Sequence, residues 1–297
     1  LALYRADSIV DDCEWVRREL GVERWSVLGQ SFGGFCVTAY LSRAPQGLAA
    51  AFITGGLPAL GHSIDEAYRE TYAITLERVE RFYRRFPGDR DRVLALQEAA
   101  PSLLLPGGDP VTPARIRQLG MPLGFSDGAD GLHHLLELPF DSPAFLHDFE
   151  ALTRFSRNPI YAILQEACWA DGGSTRWAAE RMLPAEYASA PELLTGEHVF
   201  RSTFADHGAL QPYADAAEEL ALWEWPPLYD LSVLAANEVP VAAAIYLEDM
   251  YVPRVFSEEA ASLIRGMRAW KTNEYEHNGL RAEGGRILDR LFVLARG

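Results

Sequence analysis

The sequence predicts an α/β fold: a mostly parallel sheet with helices on both faces, interrupted by a large helical insertion. Three observations carry that reading. Apolar runs at residues 25–28, 48–54 and 239–246 have the near-continuous character of strands buried on both faces of a parallel sheet. Segments of helical periodicity alternate with those runs. Between the second and third runs the chain is dense in helical spacing, aromatic residues and proline stops, with no β-branched strand pattern.

The elements follow in order. An amphipathic helix opens the chain, with Ile9, Val10, Cys13, Val16 and Leu20 on one face, Asp7 or Ser8 as N-cap and Gly21 at its stop. The strand at Trp25-Ser26-Val27-Leu28 then runs into Gly29-Gln30-Ser31-Phe32-Gly33-Gly34. A G-x-S-x-G between a strand and a helix is a nucleophile elbow, the sharp turn that lifts a serine hydroxyl above an α/β-hydrolase sheet. Glycines at 29, 33 and 34 suit it, because a helix packed hard on its strand leaves little room for side chains. The helix ends at Ala44-Pro45, where proline cannot extend the hydrogen-bond ladder. A strand over 48–54 and a break at Gly55-Gly56-Leu57-Pro58 follow. Sheet character returns over 239–246. Ser257-Glu258-Glu259 caps a helix carrying Leu263 and Ile264, a strand covers 267–273, and a closing helix carries Ile287, Leu288, Leu291 and Phe292. The expected division is an α/β-hydrolase core at 1–56 and 231–297 around a helical cap at 57–230.

With 297 residues, 48% of them apolar, the chain can bury a sizeable core. Its formal net charge of −15 argues against nucleic acid or anionic membranes as partners and is compatible with cationic or amine-bearing ligands. No run of about 18 apolar residues is present, so no membrane span is expected. Cys13, Cys36 and Cys168 are odd in number, have no metal-type spacing, and read as buried thiols of a reducing, cytoplasmic compartment.

In this fold the catalytic order is serine, acid, histidine, the last two on loops after late strands. Ser31 is the candidate nucleophile. After the strand ending at Tyr246, Asp249 stands where the acid belongs, with Glu248 its competitor for the same loop position. Of seven histidines only His277 follows the last strand, in the polar turn Glu276-His277-Asn278-Gly279, which nominates it as general base. His277 would take the Ser31 proton and return it to the leaving amine, while Asp249 fixes the imidazole tautomer. The Phe32 backbone N–H, directly after the nucleophile, would supply one oxyanion donor, a contribution worth about 10²- to 10³-fold in turnover.

Three segments in the correct order, Gly29-Gln30-Ser31-Phe32-Gly33-Gly34-Phe35-Cys36, Tyr246-Leu247-Glu248-Asp249-Met250-Tyr251-Val252 and Asn273-Glu274-Tyr275-Glu276-His277-Asn278-Gly279-Leu280-Arg281, resemble the proline iminopeptidases. The resemblance spans almost the whole chain. It implies a metal-free and cofactor-free serine aminopeptidase that releases N-terminal proline from peptides through an acyl-enzyme, with a helical cap over the active site. It also implies cap glutamates that hold the substrate's free amine, nominating Glu166 and Glu197 by their matching segments. A homo-oligomer is compatible with it. The family's Gly-rich oxyanion stretch upstream of the elbow has no match here, so the early strands and the second oxyanion donor are expected to be missing from this chain. The alternatives are a carboxylesterase or small-amide hydrolase on the same scaffold, or a non-catalytic binding protein of the same fold.

Overall fold

Four strands, β1 (Trp25–Gln30), β2 (Leu48–Thr54), β3 (Val241–Tyr246) and β4 (Met267–Thr272), pair in parallel in the order β1-β2-β3-β4. The structure, a computed structural model, describes residues Leu1–Gly297. Alternate residues of the two middle strands, β2 and β3, face two apolar layers, as a sheet covered on both sides requires. Ala51, Ile53, Val241, Ala243 and Ile245 pack on one face against Ala6 and Val10 of the helix Ala6–Glu19, Val37 and Leu41 of the helix Phe32–Arg43, and Ala260 of the helix Arg254–Leu263. Phe52, Ala242, Ala244 and Tyr246 pack on the other against Ile287 and Leu291 of the helix Gly279–Arg296.

The chain divides into two compact units. The first comprises Leu1–Ala67, Ala167–Ser174 and Trp223–Gly297 and holds the sheet; the second comprises Tyr68–Glu166 and Thr175–Leu222 and is helical. These limits differ from 57–230. Leu57, Leu60 and Leu228 are buried in the core below the sheet, which draws 57–67 and 223–230 into the first unit. Residues 167–174 join it because Arg5, only 2% exposed, donates to the carbonyls of Ala170 at 3.1 Å and Pro226 at 3.0 Å. Asp171 in turn accepts from the backbone N–H groups of Leu228 and Tyr229.

Helix ends also differ in detail. Arg5, not Asp7 or Ser8, occupies the N-cap of the first helix; the Asp7 carboxylate is committed to the Arg5 guanidinium at 2.7 Å. The helix expected to start at Ser257 begins at Arg254, directly after Pro253, and Ser257 is buried inside it. The three cysteines form no disulfide and are half-buried rather than fully enclosed. No helix is long and apolar enough to cross a membrane.

One buried carboxylate joins three elements of the first unit. Glu14 accepts from Arg17 at 2.7 and 2.8 Å and from the Tyr40 hydroxyl, while the Trp25 indole donates to that hydroxyl at 3.0 Å. Arg17 dominates in holding the Glu14 carboxyl down at about 2. Because this value lies below the ordinary 4.5, the ion pair stabilises the fold fully above pH 4.5 and loses that contribution as pH falls toward 2. The substitution Glu14→Gln is therefore expected to lower stability at neutral pH by about 1–3 kcal/mol. It should also flatten the loss of stability on acidification, read from denaturation midpoints across that window; an unchanged acid slope would contradict the assignment.

Candidate active site

All four strands run the same way, so the loops after them collect at one edge of the sheet, where ligands of open α/β sheets bind. Ser31 directly follows β1, Asp249 lies three residues past β3 and His277 five past β4. The sheet order therefore places all three sequence candidates along that edge of the first unit.

The elbow is built from backbone contact. Ser31 sits at φ 54° and ψ −127°, a conformation non-glycine residues rarely adopt, and serves as the N-cap of the helix Phe32–Arg43. Its N–H donates to the Thr54 carbonyl at 3.1 Å and its carbonyl accepts from Gly34 at 2.8 Å. A Cβ at Gly29 would lie 2.1 Å from the Gly33 carbonyl oxygen, one at Gly34 2.3 Å from that of Gly56, and one at Gly56 2.3 Å from that of Ser31. The loop after β2 is thus pressed against the elbow. Phe32 opens the helix, so its N–H is among those with no acceptor inside the helix, at the positive end of the dipole.

Asp249, not Glu248, is the carboxylate bonded to His277: Oδ2 accepts from Nδ1 at 2.7 Å, while Glu248 is exposed. The other oxygen, Oδ1, accepts from the backbone N–H groups of Tyr251 and Val252, each at 2.9 Å, which fixes the carboxylate plane. Asp249 is 2% and His277 5% exposed, and the Tyr251 ring meets the imidazole edge-on at 4.8 Å. Water is largely excluded, so this hydrogen bond is stronger than it would be at the surface. With Nδ1 donating to Asp249, the lone pair of the neutral ring lies on Nε2.

Two positioning contacts carried no signal that the spacing could reveal. The Gln30 side chain, one residue before the nucleophile, donates to the His277 carbonyl at 3.2 Å and ties the elbow to the histidine loop. Gly55, at φ 49°, leaves only 3.1 Å between its Cβ position and Asp249 Oδ2. The Gly55-Gly56 pair ending a strand marks such close approach, although it reads locally as a break.

Glu166 and Glu197 belong to the second unit, and Gln165 links their two segments by donating to Glu197 Oε2 at 3.4 Å. Glu197 Oε1 accepts from the Tyr161 hydroxyl at 2.8 Å. Glu166 is buried; Oε1 accepts from the Ala179 N–H at 2.9 Å, and Oε2 is buried without a hydrogen-bond partner. Burial raises its pKa above the ordinary carboxylate value, against the opposing pull of the Ala179 N–H and the Thr175 hydroxyl. His198 anchors the loop carrying Glu197: Nδ1 accepts from the Gly196 N–H at 3.0 Å, the other ring nitrogen meets Thr71 at 3.1 Å, and the ring stacks on Tyr72 at 3.8 Å. Burial drives its pKa to about 3, so it stays neutral.

Residues 2–107 match the alpha/beta hydrolase fold family. A proline iminopeptidase of Aeromonas sobria is 43% identical over 309 residues, covering 100% of this chain and 73% of that protein. Proline iminopeptidase aneH of Aspergillus aculeatus is 31% identical over 316 residues, covering 99% of this chain and 70% of that protein. Among solved structures, an esterase from Exiguobacterium antarcticum is similar with a TM-score of 0.41 at 13% identity, over 99% of this chain and 75% of that one.

Because the contact at Gly56 is backbone on backbone, no rotamer change can relieve it. Gly56→Ala is expected to cost about 1–3 kcal/mol or more. It should also depress turnover beyond the loss of folded protein, measured as kcat per folded molecule; wild-type turnover would contradict the role of that contact.

Proposed function

The chain belongs to the proline iminopeptidase family, and from that footing we propose that it is a serine aminopeptidase releasing N-terminal proline from peptides through a prolyl-enzyme intermediate. The reading of the site rests above all on the 2.7 Å bond between Asp249 and His277, on the same sheet edge as a serine held in an elbow.

The steps follow from the residues. Ser31 Oγ attacks the carbonyl of the N-terminal proline as His277 Nε2 takes its proton, and Asp249 stabilises the imidazolium that forms. The Phe32 N–H receives the developing oxyanion. The imidazolium then protonates the leaving amine of the shortened peptide, and the same histidine activates the water that hydrolyses the prolyl ester.

Glu166 and Glu197 are the proposed holders of the substrate ammonium. A buried carboxylate with one unsatisfied oxygen is costly on its own and gains a partner when a cation arrives, which favours free N-termini over blocked ones. A cytoplasmic setting fits three cysteines that form no disulfide.

A panel of a proline arylamide, an alanine arylamide and a p-nitrophenyl ester tests the proposal. The proline arylamide is expected to be cleaved with Ser31-dependent turnover that Ser31→Ala abolishes, and Asp249→Asn should lower kcat by about 10⁴-fold. Good ester cleavage without proline release would make the protein an esterase instead. Glu166→Gln should raise KM for the proline arylamide about 10- to 100-fold, the worth of a charged hydrogen bond, and spare the ester. An unchanged ratio of the two substrates would remove Glu166 from amine binding.

A further inference from the structure

We infer that His133, His134 and Glu137 in the second unit form a binding site for a divalent transition cation of the zinc class. Their ligand atoms all lie within 4.8 Å of one another. His133 and His134 lie in the last turn of the helix Gly128–Leu136, and Glu137 is its C-cap, so spacings of three and four residues bring the carboxylate back toward both rings. The Glu137 oxygens stand 3.6 Å from His133 Nε2 and 3.5 Å from His134 Nδ1. Ligand atoms of a tetrahedral zinc with bonds of about 2.0–2.1 Å are separated by about 3.3 Å, so closure needs only small rotations of side chains at the surface.

The feature that separates this cluster from an ordinary surface grouping is the carboxylate behind it. Asp89, fully buried, accepts from His133 Nδ1 at 2.9 Å, while Arg92 donates to the other Asp89 oxygen at 2.6 Å. A proton on Nδ1 leaves the lone pair on Nε2, the atom that faces Glu137. Metal-binding histidines are oriented by this same carboxylate partnership. The Phe86 ring stacks on the imidazole at 4.0 Å, with planes 8° apart, and holds it in place. The helix C-terminus adds the negative end of its dipole, which favours a cation. Arg92 opposes it, with a guanidinium nitrogen 3.9 Å from Glu137, but that guanidinium is already engaged by Asp89.

Two imidazoles and one carboxylate select zinc, nickel or copper ions over magnesium or calcium, which prefer all-oxygen shells. Three protein ligands leave a fourth position for water. The cluster shares no residue with the groups assigned to hydrolysis.

Isothermal titration of the tag-free full chain with Zn²⁺ is the test, run beside His134→Ala and Glu137→Gln. Both side chains are exposed, so the variants are expected to fold, with circular dichroism as the check. The wild type is expected to show a saturable site whose affinity falls at least about tenfold in each variant, with Mg²⁺ giving no binding there. No saturable zinc binding in the wild type, or equal zinc affinity in wild type and variants, overturns the site. Equal occupancy by Mg²⁺ overturns the assigned metal class.

Discussion

Ser31 holds a backbone conformation that costs on the order of 1–3 kcal/mol, and the first unit is arranged to impose it. The constraint comes from Gly29, Gly34 and Gly56, each lying where any side chain would strike a neighbouring carbonyl. Removing those side chains lets the helix Phe32–Arg43 start immediately above β1 and lets the loop after β2 close against it. The strained serine then projects at the strand end, and its neighbour's N–H stands at the helix terminus where negative charge is stabilised. The geometry of the elbow therefore depends on contacts between backbones.

The parallel sheet supplies the remaining alignment. Consecutive order β1-β2-β3-β4 separates the serine and histidine loops by the two middle strands, and side chains bridge the interval. Gln30 reaches from the elbow to the His277 carbonyl, and Asp249 spans from the β3 loop to the imidazole while two backbone N–H groups pin its second oxygen. The second unit likewise keeps polar groups buried. His198 is neutral because burial disfavours its charge, whereas Glu166 retains a carboxyl oxygen with no partner. The neutral histidine supports its loop as a hydrogen-bonding ring; the carboxyl has one oxygen bonded to the Ala179 N–H and the other buried without a partner.

What the sequence makes legible depends on how local the cause is. The two middle strands are visible because burial on both faces demands nearly continuous apolar residues, and the elbow is visible because its glycines lie close together in the chain. Asp249 and Glu248 are indistinguishable until the loop closes, since only the turn that gives Oδ1 two N–H donors decides which carboxylate meets the histidine. The helix start at Arg254 was obscured by Ser257, a good cap residue that is buried inside the helix instead. Residues 167–174 belong with the sheet through Arg5 and Asp171, contacts more than fifty positions apart that no periodicity reports. Family resemblance alone points to Glu166 and Glu197; residue spacing carries no sign of their hydrogen-bond surroundings.

The most direct measurement of the central claim is rapid-quench mass spectrometry during turnover of a proline ester. A mass increase of one prolyl residue on the peptide containing Ser31, absent from Ser31→Ala, is the predicted result. A turnover-competent enzyme that carries its acyl group on another residue, or whose steady-state hydrolysis is undiminished in Ser31→Ala, would contradict it.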